Sequence, residues 1–252
     1  MLRLATIAGA AGLLLGLGGC TVYAPMQPTA PVVCQAGQAE IGASVQLSGR
    51  VEATAIYAPR PHLLVGAGLT GRPRLGDHNY LQTGQYEVSA GYYRALGEHW
   101  VLSGMGGFGQ AHNHRDFPEL GFLFFPTTYT QYEARYHKFF GQLGAAYVQP
   151  TGAALGVAYR LTYIGFNELR VERVGELPLT AMRRHELTIT VRSSLSANGH
   201  WQLLGTAGLS FAGTPRFDDN LGGQAEYHAN RTLLPVLLYS MGVGYTLRPT
   251  RR

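Results

Sequence analysis

The chain has 252 residues, a formal net charge of +5 and only 14% charged residues. A water-soluble domain usually carries about 25% charged residues, so this composition argues against a surface that is fully exposed to water. The basic residues are mostly scattered singly and form no stripe, which argues against nucleic-acid binding. Low charge together with 34 glycines and 15 tyrosines favours a surface that faces lipid.

The first twenty residues have the pattern of an export signal. Arg3 supplies a positive charge, and the apolar run over 5–17 is shorter than the roughly 20 residues that span a bilayer. The run ends in Leu17-Gly18-Gly19-Cys20, which resembles the lipobox of bacterial lipoproteins. The resemblance implies that residues 1–19 are a signal peptide and that Cys20 becomes the first mature residue and carries lipid. An ordinary signal peptide with a chance cysteine is the alternative.

Residues 20–37 are predicted to be a linker that bears the lipid. Pro25, Pro28 and Pro31 lie among small and polar residues, and proline-rich segments stay extended and do not build a core. We therefore expect this segment to tether the lipid to the domain that follows, residues 38–252. If Cys20 is acylated, Cys34 has no cysteine partner within the chain, and we interpret it as incidental.

From residue 38 onward, apolar and polar residues alternate with a period of two, which is typical of β-strands. No helical period is found after residue 37. Short turns near 59–61, 96–98, 149–151 and 197–199 alternate with longer loops at about 72–81, 113–128, 169–183 and 213–230, the pattern of transmembrane barrels with periplasmic short turns. Ten strands are predicted, at about 39–48, 50–58, 62–71, 82–94, 99–112, 129–149, 153–168, 184–196, 200–212 and 231–247.

The sequence predicts an all-β fold, a closed antiparallel up-and-down transmembrane β-barrel with the apolar face outward. Several strands reach the 9–11 residues that cross a bilayer, and their less apolar face is rich in Gly, Ala, Ser and Thr, which suits a narrow, filled lumen. One stretch is irregular, because a polar face at 131–137 continues in the same parity as Phe139 and Leu143. Either a bulge near Lys138-Phe139 restores the phase, or residues 129–137 extend beyond the membrane.

We assign five charged residues to strand positions whose side chains point into the barrel. Buried charges are normally paired. An ion-pair network that fills a narrow barrel is one interpretation, and a polar channel is the other, since ten strands enclose a lumen between those of filled barrels and open porins. The predicted lumen charges are Glu52, Glu87, Arg160, Glu186 and Arg192.

Three histidines recur after short turns, in the runs Pro61-His62-Leu63, Glu98-His99-Trp100 and Gly199-His200-Trp201. A catalytic group is one interpretation. The other, which recurrence once per hairpin favours, is an interfacial role, because amphipathic rings prefer the membrane–water boundary.

From about residue 38 to the end, and with the Leu17–Cys20 motif, the chain resembles outer-membrane β-barrel proteins of Gram-negative bacteria, of the lipobox-bearing type. The resemblance implies a location in the cell outer membrane, lipid-anchored and membrane-integrated, and transfers no active site. The chain departs from this class at its end, where Tyr245 is followed by Thr246-Leu247-Arg248 and not by a terminal aromatic residue.

Other polar clusters have functional interpretations besides the ordinary polarity of exposed loops. His112, His114 and Asp116 carry metal-ligand chemistry. Asp218, Asp219 and His228 invite comparison with the ten-stranded omptin-type proteases, and His185 with Glu186 suggests lipid chemistry, although neighbouring strand residues face opposite ways. We expect no cofactor, no metal and no enzymatic activity.

The expected partners are membrane lipid, through the acyl anchor and the barrel exterior, and no nucleic acid. A surface partner could bind the long loops, because exposed apolar patches usually mark one; the alternative is that these side chains fold against the rim or enter the outer leaflet. The function expected is a non-enzymatic envelope-structural or surface-interaction role; the alternatives are a narrow channel for small solutes and a membrane-embedded hydrolase. The loop aromatics are Phe117, Phe122, Phe124, Phe125, Tyr129 and Tyr132.

Overall fold

The computed structural model describes residues 22–72, 82–120, 126–196, 198, 200–217 and 223–247, with the backbone alone for 117–120 and 126–128. The predicted signal peptide, Cys20, Asp218, Asp219 and the loop residues Phe122, Phe124 and Phe125 lie outside these ranges. So does the side chain of Phe117.

The described chain forms twelve strands and one helix. They are β1 (Ala39–Gln46), β2 (Val51–Arg60), β3 (Leu63–Arg72), β4 (Gln82–Leu96), β5 (Trp100–Leu120), β6 (Pro126–Val148), β7 (Ala154–Val171), β8 (Gly175–Glu176), β9 (Leu179–Ser194), β10 (Trp201–Ala212), β11 (Arg216–Phe217), α1 (Gln224–Thr232) and β12 (Val236–Leu247).

Ten of these strands close into an antiparallel barrel. Each long strand pairs with its neighbours in chain order, β7 pairs with β9 directly, and β12 returns to pair with β1 from Ala39 opposite Leu247 to Gln46 opposite Ser240. The two-residue strands β8 and β11 pair with the ends of β7 and β9, respectively, on the long-loop side. The predicted fold class, a closed ten-stranded up-and-down barrel, is confirmed, because every predicted strand corresponds to one barrel strand.

Three local predictions are wrong. The stretch 113–128 was predicted as a loop, but β5 and β6 continue as one tall hairpin to Leu120 and from Pro126. Of the two explanations for the polar face at 131–137, the bulge at Lys138-Phe139 is absent, since the β5–β6 pairing is continuous from Trp100 to Glu119. The polar residues of β6 continue the outward positions of Phe139 without a break. A register shift lies between β6 and β7, where Arg135 pairs with Glu168 and Tyr136 with Phe166, so that the extra residue is on β7.

The third correction is the helix α1, which lies at the long-loop end between β10 and β12. Its sequence is short and mostly polar, so it gives no apolar period that could distinguish it from a loop. The buried Arg184 of β9 contacts the end of the helix from inside the barrel, where it donates to the carbonyl oxygens of Thr232 and Leu234. In the described part of the chain, no helix is long and apolar enough to cross a membrane.

Candidate functional site: an occupied barrel lumen

The outer wall of the barrel carries an apolar band about the height of a bilayer. The outward residues are all apolar or glycine over 100–108 on β5, 139–147 on β6 and 155–163 on β7. Each of these ranges is nine residues long. Beyond these ranges, toward the long loops, the outward positions become polar at Gln110, His112, Arg135 and His137. Nine to eleven tilted residues are enough for a strand to cross the hydrocarbon core. We call these three ranges the apolar band.

The lumen inside this band is occupied by the chain's own residues 22–34, which we call the lumen segment. Val22 and Val33 are fully buried, and Tyr23, Met26 and Ala30 are each no more than 2% exposed. The segment is extended, as its prolines predicted, but the expectation that it does not contribute to a core is wrong. Its buried side chains complete the interior of the barrel.

The barrel wall binds the lumen segment through its backbone. Polar side chains from well-separated parts of the wall donate hydrogen bonds to six of its carbonyl oxygens, and carboxylates accept hydrogen bonds from two of its amides. Without these partners the buried peptide groups would each cost about 1–3 kcal/mol. The donors and their acceptor residues are Asn113 to Val22, Gln85 to Ala24, Arg50 to Pro25, Thr188 to Pro28, Gln142 to Thr29 and Arg192 to Ala30. The acceptors are Glu52 for the Gln27 amide and Glu40 for the Val32 amide.

Inward-facing glycines provide the space that the lumen segment fills. A Cβ atom at Gly156 would lie 2.9 Å from the Ala30 Cβ, and one at Gly68 would lie 2.6 Å from the Met26 Cε. At Gly144 the nearest Ala30 atoms would be 3.3 Å away. The small inward-facing residues therefore have a physical reason. They leave room in a narrow lumen for the thirteen-residue lumen segment.

A central charge cluster holds the middle of the lumen. The Glu87 carboxylate lies 2.5 Å from the Lys138 ammonium and 3.0 Å from the Arg160 guanidinium. Arg160 also donates to the Gln142 amide oxygen and packs over the Phe140 ring. Buried charges in this arrangement are compensated from several sides, so that removal of one partner would leave another uncompensated.

The structure places all five predicted lumen charges inside the barrel. Glu52 pairs with Arg50, Arg192 pairs with Glu40, and Glu186 accepts a hydrogen bond of 2.7 Å from the Tyr23 hydroxyl. The predicted residues therefore meet either one another or the lumen segment. Four further buried charges were missed: Glu40, Arg50, Lys138 and Arg184.

The sequence contained a signal for three of these four. Glu40, Lys138 and Arg184 fall on the inward parity of their strands, and the bulge assumed at Lys138 obscured its position. Arg50 lies in the tight turn between β1 and β2, where parity gives no guidance.

A cavity of about 40 Å³ lies between the lumen segment and the wall, beside Met26, Glu52 and Phe140. It has room for about three water molecules.

The three short-turn histidines share one arrangement at the opposite end from α1. The Nδ1 atoms of His62, His99 and His200 lie 3.2, 3.1 and 2.6 Å from the carbonyl oxygens of Tyr93, Val148 and Thr246, respectively. Each ring also packs against the tyrosine that precedes this carbonyl, with centroid distances of 5.3, 5.4 and 5.7 Å to Tyr92, Tyr147 and Tyr245.

These contacts bring each histidine to a different strand pair, so the structure does not assemble the catalytic group that the recurrence suggested. Trp100 and Trp201 pack on the same tyrosines, Tyr147 and Tyr245. The rings therefore form a belt near the short turns, and each histidine connects its own strand to the next.

The remaining histidine candidates also have structural partners. His112 donates to the Glu133 carboxylate at 3.0 Å, and His114 lies 3.3 Å from the Asp116 carboxylate. The hydrogen bond from His112 holds the pKa of Glu133 below its ordinary value. Among the residues that the structure describes, no group of three or more His, Cys, Asp or Glu could hold a metal ion.

His185 and Glu186 point to opposite sides of the wall. His185 packs outside between Tyr159 and Phe211, whereas Glu186 is fully buried in the lumen. His228, on α1, is buried and hydrogen-bonds the Tyr132 hydroxyl. Tyr132, one of the loop aromatics, thus lies in the apolar cluster beneath the helix with Val22, Tyr23 and Tyr136.

Comparisons with known proteins give only remote likenesses. No family model matches the chain, and no curated protein matches it in sequence. Among solved structures, the translocator domain of autotransporter NalP from Neisseria meningitidis is 12% identical, with 82% of this chain and 86% of that chain covered and a TM-score of 0.38. CarO2 and CarO from Acinetobacter baumannii are 11% and 10% identical, both with 84% of this chain covered, 100% and 98% of their own, and TM-scores of 0.28. The fold and the occupied lumen are therefore argued from this chain's own strand pairing and contacts.

Proposed function

We propose that this protein is an outer-membrane β-barrel lipoprotein without enzymatic activity, which serves envelope structure or an interaction at the cell surface. The observation that carries the proposal is the combination of a closed barrel, an outward apolar band that spans nine residues on each of β5, β6 and β7, and a lumen occupied by the protein's own residues 22–34. A closed barrel satisfies every backbone group within lipid, and the band matches the hydrocarbon core. The short turns then face the periplasm and the long loops the cell surface.

The lipid belongs on Cys20, as the lipobox resemblance implies. In this proposal the Cys20 sulfur forms a thioether bond to the glyceryl carbon of a phospholipid, the bond from that carbon to the phosphate oxygen breaks, and the thiol proton leaves with the phosphate-bearing headgroup. Hydrolysis of the bond between residues 19 and 20 releases the signal peptide. Acyl chains and the apolar band together make the protein both lipid-anchored and membrane-integrated.

An arginine placed in the apolar band tests the membrane location. Leu143 is 66% exposed and lies at the centre of the range 139–147. In lipid, Leu143→Arg is expected to cost about 2–4 kcal/mol in the free energy of unfolding, because the charge lies near the bilayer midplane. On a water-facing wall the same substitution would be almost neutral. The matched control is Gln131→Arg on the same strand and face, beyond the band, which should leave the stability unchanged.

The boiled and unboiled outer-membrane fraction gives the companion measurement. A closed membrane barrel is expected to change its mobility on a detergent gel when it is heated, because its strand pairs open together. Release of the protein by mild detergent as a water-soluble species, together with a neutral Leu143→Arg, would contradict the proposal.

A narrow channel for small solutes is the second candidate, and the lumen segment decides between the two. The intact protein is expected to give no current in planar bilayers, because residues 22–34 fill the lumen. Deletion of 22–34 should open it, since a ten-stranded barrel without its contents encloses a polar space that water can fill. The heat-dependent mobility shift of the deletion variant serves as the control for folding. Steady conductance of the intact protein would favour the channel over the structural role.

The non-enzymatic part of the proposal is supported by the engagement of every described histidine in a hydrogen bond or ion pair with another described residue. The test is activity of the purified full-length protein against peptides and lipid A. No turnover is expected. Activity that is lost in Asp218→Ala, Asp219→Ala or His228→Ala would overturn the proposal in favour of a hydrolase.

A further inference from the structure

We infer that the lumen segment carries the N-terminus through the barrel, so that the lipid on Cys20 lies at the long-loop side of the membrane, in the outer leaflet. The inference deepens the proposed function, because it rests on the lipidation of Cys20 proposed above. It concerns which leaflet anchors the protein, and it follows from the direction in which residues 22–34 cross the apolar band.

The end of the lumen segment at Cys34 lies at the short turns. The Cys34 amide donates to the Gln38 side-chain oxygen at 3.0 Å, and Val33 packs in a buried cluster with Val101 and Val148. Val101 follows the short turn between β4 and β5, and Val148 precedes the short turn between β6 and β7. Residue 34 is therefore at the face that the proposed function assigns to the periplasm.

The other end of the lumen segment lies beyond the band. The Val22 carbonyl accepts a hydrogen bond of 2.9 Å from Asn113, which is five residues past Phe108, the last residue of the band on β5. Val22 and Tyr23 also belong to the apolar cluster that contains Leu177, between β8 and β9, and Leu179, the first residue of β9, both at the long-loop end. The thirteen residues can reach about 40 Å, which is enough to cross a band about 25 Å tall.

Contacts between these ends fix the direction of the chain. The Tyr23 hydroxyl donates to Glu186 and the Ala24 carbonyl accepts from Gln85, and both partners lie in the half of the wall nearer the long loops. The Ala30 carbonyl accepts from Arg192 and the Val32 amide donates to Glu40, and both of these partners lie near the short turns. The order is continuous and without a reversal. The segment thus runs through the barrel as a single extended crossing.

Chain geometry then places Cys20. Cys20 is two positions before Val22 in the sequence, and two residues span at most about 7 Å. A return to the periplasmic face would require about 25 Å, and the path through the lumen is already filled by the segment itself. The lipid-bearing sulfur therefore stays on the long-loop side, where the adjacent hydrocarbon is that of the outer leaflet.

The test labels cysteines on intact cells with a maleimide coupled to a polymer too large to enter the periplasm. The full-length protein with Thr21→Cys and Cys34→Ser reports the end beside Cys20. The native protein reports Cys34, whose side chain is exposed at the short-turn face. We expect Thr21→Cys to be labelled to the same extent before and after the cells are opened, and native Cys34 to be labelled only after they are opened.

Mass spectrometry of the N-terminal peptide separates the two levels of the claim. Acylated Cys20 with labelling of Thr21→Cys on intact cells supports the inference. Acylated Cys20 with labelling only after the cells are opened overturns the inference and leaves the lipoprotein proposal in place. Absence of acyl groups on Cys20 overturns both the lipoprotein proposal and the leaflet assignment, whatever the labelling shows.

Discussion

The inner and outer faces of the barrel wall are made by alternate residues of the same strands, but they are specified to very different degrees. In the proposed membrane location, outward residues of the apolar band need only be apolar, because lipid would adapt its shape to them. Inward residues must match named partners: Glu87 has to meet Lys138 and Arg160, and Gly156 has to leave room for Ala30. Adjacent positions on one strand are therefore expected to respond differently to the same kind of substitution.

The largest contrast is expected at Glu87 and its neighbour Val88. Glu87→Ala leaves Lys138 and Arg160 buried without their carboxylate, which should lower the free energy of unfolding by about 3–5 kcal/mol. Val88 is 52% exposed on the outer face, so Val88→Ala should cost only about 1 kcal/mol of apolar burial. Urea unfolding in lipid vesicles, followed by the fluorescence of Trp100 and Trp201, measures both. Equal effects of the two substitutions would contradict the contrast between the faces.

A smaller contrast is expected between two tyrosine hydroxyls. Tyr23→Phe removes the hydrogen bond of 2.7 Å to the buried Glu186 carboxylate, and a bond to a charged group contributes about 2 kcal/mol. Tyr159→Phe removes a bond of the same length to His185 on the outer face, and should cost about 0.5 kcal/mol.

The same unfolding measurement compares these two conservative variants, neither of which changes the packing volume appreciably. If Tyr159→Phe proved the more costly, the lumen segment would contribute less to the stability of the barrel than its burial indicates.

The histidines at the short turns test whether outward residues at the edge of the apolar band depend on defined partners, as the inward residues do. His99→Ala removes the contact with the Val148 carbonyl and with the Tyr147 ring, and should cost about 1 kcal/mol. Because His62, His99 and His200 hold separate strand pairs, the three single effects should add in the triple variant. A triple variant that costs much more than the sum of the three would show that the rings act together, contrary to the separate pairings seen here.

The outer face was easier to predict from sequence than the inner face. Its residues need only be apolar, which is also why it should tolerate substitution better. Strand number, closure and the outward parity depend on a period of two, which each strand displays by itself, as in Leu155, Val157 and Tyr159. Parity also identified Glu52 and Arg160 as inward residues. It could not identify their partners, since pairing of residues such as Arg192 and Glu40 depends on contacts across the lumen.

The lumen segment was missed because its composition points to a linker and its position depends on the whole barrel. Proline and small residues give an extended chain in either case, and nothing local distinguishes an extended tether from an extended lumen strand. The signals lay elsewhere, in the inward glycines Gly68, Gly144 and Gly156, which are too small to fill the interior that ten strands enclose. A wall with small inward residues therefore indicates that another segment fills the interior.

The smallest expected effect lies beyond the band, where the outward face meets water. Glu133→Gln removes the carboxylate that accepts from His112 and lies 3.4 Å from Arg135. Because these groups are partly exposed, the loss at neutral pH should stay below about 0.5 kcal/mol. The pKa of Glu133 is lowered in the folded barrel by the His112 hydrogen bond, so its contribution is complete above the pKa of an unfolded glutamate, about 4.3, and is lost as the pH falls through the lower folded value. Unfolding curves of the native protein and of Glu133→Gln should therefore converge in acid, and His112→Ala, which removes the other partner, should show the same convergence. A difference that grows as the pH falls would reverse the sign of the coupling and would mean that the carboxylate is disfavoured in the folded barrel.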